Sequence, residues 1–296
     1  MSRQLSEVIE TFEGKSWQEP FASKKNSAAD ALEDGKVLFF PKLSFELLEG
    51  ERRFLSPGAV DPKAKNVSFN PKTGEVKHAA GDAVTQAAVA EMMRRYYEHA
   101  YSLVCKVVPN YESAIEAGRT SFRPVEVSGR KSSSRKDDTR LHVDAFPSMP
   151  AADKRILRVF SNVNPDGKSR HWRLGDSFER TARHFVGQLP APVPGAAWIM
   201  KAIGTTKGYR THYDHMMLAL HDTMKMDSEF QRTTVQNEFH FPPGSTWIAY
   251  TDMVAHASMS GQHLFEQTFH VPVGAMADAS KAPLRVLERL TGRALT

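Results

Sequence analysis

The strongest constraint on the fold lies in residues 120–272, where short strand-like runs alternate with turns marked by Gly and Pro. Residues 155–163 read RILRVFSNV, a run short for a helix and well suited to a strand. Asn164-Pro165-Asp166-Gly167 follows as a turn, in which Pro presets φ and Gly supplies a positive φ. Residues 170–175 make a further strand, and residues 236–241 alternate polar and apolar side chains as a strand should. Pro242-Pro243-Gly244-Ser245 then turns the chain into strands at 246–250 and 263–272. This spacing predicts a mainly β protein with flanking helices, a double-stranded β-helix or jelly roll. There is no internal repeat and no βαβ alternation. A G-x-x-x-x-G-K-[ST] loop and a G-x-G-x-x-G fingerprint are both absent, which argues against P-loop and Rossmann classes.

Within that region, Arg140-Leu141-His142-Val143-Asp144-Ala145-Phe146 carries a His-X-Asp triplet. Residues two apart in a strand point to one face, so His142 and Asp144 can reach the same metal ion. An imidazole and a carboxylate on one strand are two thirds of a 2-His-1-carboxylate triad, the ferrous-iron geometry that leaves positions open for substrates and O2. His256, just after the strand at 246–250, is the expected third ligand. A second triplet, His212-Tyr213-Asp214, falls at the start of a helical stripe formed by Tyr213, Met217, Leu220, Met224 and Phe230. Helical residues at i and i+2 diverge, so His212, Asp214, His215 and His221 read as caps or surface groups.

The chain reads as one jelly-roll domain over 1–296: an N-terminal strand and helical extension at 1–110, the β core at 120–272 and a C-terminal helix at 280–296. Residues 36–45 give a buried strand and a Pro-marked turn, and Asn70 to Gly74 a hairpin. The clearest helix spans 83–108, with Val84, Ala88, Met92, Tyr96, Leu103 and Val107 on one stripe suited to cover a sheet face. Residues 121–127 read as a strand. The polar loop at 128–138 directly precedes the His142 strand, a position for a lid or a substrate-gathering loop. Ser177 or Asp176 can cap a helix running to Leu189, and Leu284, Leu287 and Leu290 give the tail an apolar side for packing.

Composition limits the chemistry. The single cysteine, Cys105, sits in an apolar run, so no internal disulfide or cysteine metal cluster can form. Any metal must use His and carboxylate ligands. The net charge of +5 and a pI near 9.2 favour anionic partners. No zinc-finger or RNP-type pattern points to nucleic acid. No apolar run reaches membrane-spanning length and the opening is not signal-like, so a cytoplasmic protein is expected.

Longer blocks narrow the reading. Residues 141–148 (LHVDAFPS), 155–165 (RILRVFSNVNP), 241–247 (FPPGSTW), His256-Ala257 with Ser260-Gly261-Gln262, and Glu266-Gln267-Thr268-Phe269 resemble the Fe(II)/2-oxoglutarate-dependent oxygenases, and within them the Kdo 3-hydroxylases of Gram-negative bacteria. The resemblance covers about residues 140–272. It implies Fe(II) held by His142, Asp144 and His256, with 2-oxoglutarate and O2 as cosubstrates, succinate and CO2 as products, and hydroxylation at C3 of a Kdo sugar on a lipid A precursor. It also implies peripheral contact with the inner membrane from the cytoplasmic side. This chemistry asks for no protein general base, so no catalytic residue is expected beyond the metal ligands. Self-association is left open.

One departure matters. Many superfamily members carry an Arg shortly after the distal His to hold the far carboxylate of 2-oxoglutarate, whereas this chain has Glu266-Gln267. Some members supply the basic residue from the strand after His-X-Asp. Arg158 is therefore the expected cosubstrate ligand, sharing a strand face with Phe160 and Asn162; Arg155, on the other face, is the alternative. Gln267 is a further amide donor. Arg140, Arg170, Arg173, Arg123 and Lys131 are candidates for the sugar carboxylate and phosphates, and Trp172 for stacking on a sugar ring. Two other readings stay open: a same-fold oxygenase acting on another anionic small molecule, and a non-catalytic jelly-roll binder of an acidic sugar or lipid headgroup.

Overall fold

The computed structural model describes residues 4–18, 27–62, 64–129 and 133–296. Its strands are β1 (Ile9–Thr11), β2 (Val37–Phe40), β3 (Val67–Phe69), β4 (Val76–Lys77), β5 (Glu116–Arg123), β6 (Lys154–Asn162), β7 (Arg170–Leu174), β8 (Asn237–Phe241), β9 (Thr246–Tyr250), β10 (His256–Ser260) and β11 (Leu264–Pro272). Eight of them form a sheet in the order β1-β2-β9-β6-β11-β5-β3-β4, and three form a second sheet, β10-β7-β8. Among the described residues, only the β1–β2 pair is parallel. The two sheets make the expected jelly roll.

Helices cover what the sheets leave bare. They are α1 (Ser27–Glu33), α2 (Ala83–Val107), α3 (Phe178–Phe185), α4 (Ala196–Ala202), α5 (His212–Met226), α6 (Ser228–Thr233) and α7 (Pro283–Thr291). α2 starts where the Asp82 carboxylate accepts from Thr85 N, satisfying a first-turn donor. It buries Met92, Tyr96, Leu103 and Val107 against the large sheet, and Tyr96 donates its hydroxyl to Val159 O on β6. Val84, expected on that stripe, is 75% exposed, and the helix buries side chains only from Val89 onward. Between the sheets, Trp172 on β7 meets Phe160 on β6 edge-on at 5.0 Å, and Phe241 stacks on Trp247 at 3.9 Å. This aromatic wedge packs between the sheets, and Trp172 and Phe160 form part of the wall of the cleft described below. A third apolar cluster joins Leu141 and Val143 to α3, α5 and α7.

The structure adjusts several expectations. The strand expected at 121–127 is β5, which begins at Glu116 and stops at Arg123, because Pro124 has no N–H to continue the ladder. His142 belongs to no full strand; it forms an isolated antiparallel bridge with His256. The 210–230 helix is broken at Asp227, whose carboxylate accepts from Phe230 N to cap α6. The apolar run around Cys105 suggests a buried, inert thiol, whereas the structure leaves it half-buried. In the 128–138 loop, residues 130–132, Lys131 included, lie outside the described residues. Among the described residues, no helix is long and apolar enough to cross a membrane.

Candidate metal centre and anion cleft

The isolated bridge builds the centre. His142 N donates to His256 O at 3.0 Å and His256 N to His142 O at 2.8 Å, while Asp144 N donates to Thr251 O at 2.7 Å. Alternation then sends Leu141 and Val143 into the helical core and His142 and Asp144 into the cleft. One ligand atom each from His142, Asp144 and His256 lie within 4.8 Å of one another, and all three residues are buried.

Their hydrogen bonds orient them for a metal. His142 Nδ1 sits 2.7 Å from Arg140 O, and His256 Nδ1 sits 2.8 Å from Val254 O. A carbonyl only accepts, so each Nδ1 carries the proton and each Nε2 presents a lone pair. Burial, with neighbouring cations helping, holds the His142 imidazole well below its usual range; burial likewise lowers His256 despite the opposing Asp144. Both rings are therefore neutral at pH 7. Burial pushes the Asp144 carboxyl up, but neighbouring positive charge, that of Arg158 foremost, outweighs it and holds it ionised. Asp144 Oδ2 has no hydrogen-bond partner, although Arg158 Nη1 lies 3.2 Å away. Two neutral imidazoles and a carboxylate with a free oxygen fit Fe(II) with open positions.

The trio opens on a cleft of about 340 Å³ lined by Arg123, Arg158, Arg170, Trp172, Ser258, Leu264 and Glu266, among others. Seven Lys and Arg against three Asp and Glu line it, so its field favours anions. Glu266 bridges Arg123 at 3.1 Å and Arg158 at 3.4 Å. Arg170 Nη1 donates to Gly261 O at 2.7 Å. A Cβ on Gly261 would sit 2.6 Å from Arg170 Cδ, and φ there is 122°, so glycine is what lets the arginine lie in place. Burial, then the nearby Arg123, push the Arg170 guanidinium down to about 9. The Nε atoms of Arg123, Arg158 and Arg170, Trp172 Nε1 and Ser258 Oγ are all buried without a partner in the protein. Buried donors left unpaired in one cleft mark a place for an acceptor-rich ligand. A larger hollow of about 500 Å³ beside α3 and α6 contains none of the trio.

The expected residues divide. Arg158, Arg170 and Trp172 line the cleft with the trio. Trp172 is 2% exposed and stacks on His256 at 5.1 Å, so it has no open face for a sugar ring. Arg173 is a correction: strand parity puts it on the other face of β7, where it donates to Thr139 O and contacts Met259 Sδ. Arg140 is a second; its Nη1 donates to Lys225 O, and with Arg173 it borders a separate hollow. Asn162 is a third. Its amide donates to Lys168 O and Phe241 O and its oxygen accepts from Asn164 N, so it staples the turn after β6 and leaves nothing for a cosubstrate. Gln267 is a fourth, bonded to Thr120 and to Thr268 O on the face of β11 opposite Glu266. Arg155 is paired through Nε and Nη2 with Asp252 at 2.8 and 3.0 Å. Asp214 is a cap, accepting from Thr211, Ala151 and Ala152.

Sequence reasoning passed over Glu266, Ser258, Lys225 and His221. His221, read as a cap or surface group, lines the cleft edge-on to His142 at 5.3 Å. The signal was available: His221 and Lys225 are four apart on α5 and share a face.

A jelly roll whose cleft holds a buried His-X-Asp…His trio beside arginines with spare donors is the architecture of a non-heme iron, 2-oxoglutarate-dependent oxygenase. Residues 16–294 match the family of 3-deoxy-D-manno-oct-2-ulosonic acid (Kdo) hydroxylases, and the chain belongs to that family. The crystal structure of the Kdo hydroxylase KdoO with alpha-ketoglutarate and Fe(III) superposes with a TM-score of 0.94 at 46% identity, covering 98% of this chain and 97% of that one. The cobalt(II) complex gives 0.94 at 47% identity over 97% of each chain, and the succinate and Fe(III) complex 0.93 at 46% over the same shares. None of the curated proteins compared by sequence matches. The chain is thus an Fe(II)/2-oxoglutarate-dependent dioxygenase of the hydroxylase type, with an anionic sugar as its substrate class.

Proposed function

We propose that this chain hydroxylates C3 of a Kdo residue on a lipid A precursor, working from the cytoplasmic face of the inner membrane. The observation that carries the reading is the set of unpaired guanidinium and indole donors beside the His142–Asp144–His256 trio. Those three residues would hold Fe(II), which with 2-oxoglutarate supplies O2 activation and leaves succinate and CO2 as coproducts.

The protein's own groups bind and orient. Arg158, Arg170 and Arg123 take the carboxylates of 2-oxoglutarate; deep, unpaired donors suit a compact dianion better than a bulky glycolipid. Trp172 Nε1 and Ser258 Oγ, on the same wall, add neutral donors. Glu266 holds Arg123 and Arg158 at their spacing. Phe146, Phe160 and Leu264 keep water from the reacting centre. At the mouth, Lys65, Arg135 and Lys136 are exposed and receive the carboxylate and phosphates of the acceptor. No side chain is asked to move a proton.

The test is to incubate protein, Fe(II), 2-oxoglutarate and a Kdo-bearing lipid A precursor, following succinate release and the mass of the sugar. One oxygen gained on Kdo, with one succinate per product, is the expected result. Succinate release that ignores the acceptor, with no oxygen on Kdo, would sink the assignment.

A further inference from the structure

We infer that α4 and its flanks, residues 193–209, dock on an anionic phospholipid bilayer and bring the cleft to lipid-borne substrate; this rests on the lipid A reading above. α4 buries none of its residues. Yet Val193, Trp198, Ile199, Ile203 and Tyr209 are 52–71% exposed, more than half of the large apolar side chains left in water among the described residues. On a helical wheel Trp198, Ile199, Ala202 and Ile203 fall within about 140° of one another. A seven-residue helix with its apolar face turned outward gains nothing from that face in water, and such a patch marks a contact with something else.

Charge identifies the occupant. From residue 180 to 213 the sequence has no Asp or Glu, while Lys201, Lys207 and Arg210 stand around the apolar side chains. Trp and Ile with basic neighbours and no acid suit the headgroup layer of an anionic membrane. A protein partner is the weaker fit, because five side chains fall well short of the roughly 800 Å² per side of a stable protein interface.

The patch is also wired to the active site. Lys207 N donates to Ser148 O at 2.9 Å and Arg210 Nη2 to Pro147 O at 2.6 Å. Phe146 and Pro147, on the same short loop, line the cleft, and Phe146 lies under the Arg158 guanidinium at 5.4 Å. A bilayer touching α4 therefore lies beside the cleft wall, where a sugar on a lipid anchor would arrive.

The experiment uses the full chain loaded with Co(II). Trp17, Trp172 and Trp247 are buried, so Trp198 alone reports contact with lipid. Vesicles of phosphatidylethanolamine and phosphatidylglycerol are expected to shift its emission to the blue; phosphatidylcholine vesicles are expected to do so weakly. The triple variant Trp198→Ser, Ile199→Ser, Ile203→Ser is expected to lose vesicle partition by roughly tenfold or more. It should keep Co(II) and 2-oxoglutarate binding and, reloaded with Fe(II), turn over detergent-dispersed acceptor normally, while slowing on vesicle-embedded acceptor. Equal partition by variant and wild type, or no partition by wild type, overturns the inference. So does a change in sedimentation without any lipid effect, which would make the face a protein interface. If vesicles bind through Trp198 but no Kdo acceptor is hydroxylated, the docking stands and the substrate reading fails.

Discussion

Arg155 and Arg158 stand on one strand, point to opposite faces and are both removed from water, yet only one is complete. Arg155 gives two hydrogen bonds to Asp252, lies 3.9 Å over the Tyr250 ring and touches two methionine sulfurs. Arg158 shares Asp144 and Glu266 with other groups, and its Nε has no partner. A buried cation with all its acceptors present holds the fold together. One whose acceptors are shared and incomplete is set to receive a ligand. The two faces of β6 thus separate architecture from chemistry.

The largest effect that can test this division is at the trio on the Arg158 face. His142→Ala is expected to lower succinate formation by roughly a thousandfold or more and to abolish Co(II) binding, with the melting profile of the metal-free protein little changed. Substantial turnover in that variant would remove the reason to regard the cleft face as the working one.

The arginines themselves come next, and they should part in opposite ways. Arg155→Met leaves Asp252 buried and alone, and is expected to destabilise the protein by about 3–5 kcal/mol in denaturant titrations. Arg158→Met is expected to stay within about 1–2 kcal/mol of wild type and to raise the KM for 2-oxoglutarate by about 10–100-fold. If Arg155→Met changes KM without changing stability, the comparison is inverted. Smaller again is Asn162→Ala. Its amide closes a turn, so a loss of about 1–3 kcal/mol is expected with KM unmoved. A raised KM there would return Asn162 to the cosubstrate site.

Much of this was readable beforehand because it depends on period two. Alternation places His142 with Asp144 and sends Arg158 to the face opposite Arg155. Strand runs and Gly/Pro turns give the jelly roll. The errors share a cause. Sharing a face with Arg158 did not bring Asn162 to the cleft, because β6 ends at Asn162 and its side chain ties down the turn that follows. Arg173 was grouped with Arg170 although parity separates them. Lys225 and His221 reach the cleft from α5, a helix whose docking is fixed by packing against α3 and the Leu141 segment, which no local pattern encodes. α4 escaped notice because an apolar helix turned outward resembles, in sequence, one turned onto a core.

The smallest expected effect concerns pH, and its sign follows from the histidines. His142 and His256 are held below the ordinary imidazole value of 6.5 in the folded chain, by burial first in both cases. In the unfolded chain they take up protons as pH falls through that value, so the unfolded state gains. The stability tied to their neutral form is thus fully present above 6.5 and is lost as pH falls below it. On the other face burial raises the Asp252 carboxyl despite Arg155, and a raised carboxyl loses stability as pH rises, so that pair's slope has the opposite sign. Unfolding free energies of the metal-free protein at pH 7.5 and 5.5 should therefore differ more in wild type than in His142→Gln, which cannot titrate there. Adding Co(II) should widen the wild-type difference, since metal and proton compete for the same Nε2. Equal slopes in the two proteins would mean that the acid sensitivity belongs to other buried histidines, His270 and His263 among them, and that the cleft face is no more pH-dependent than the architectural one.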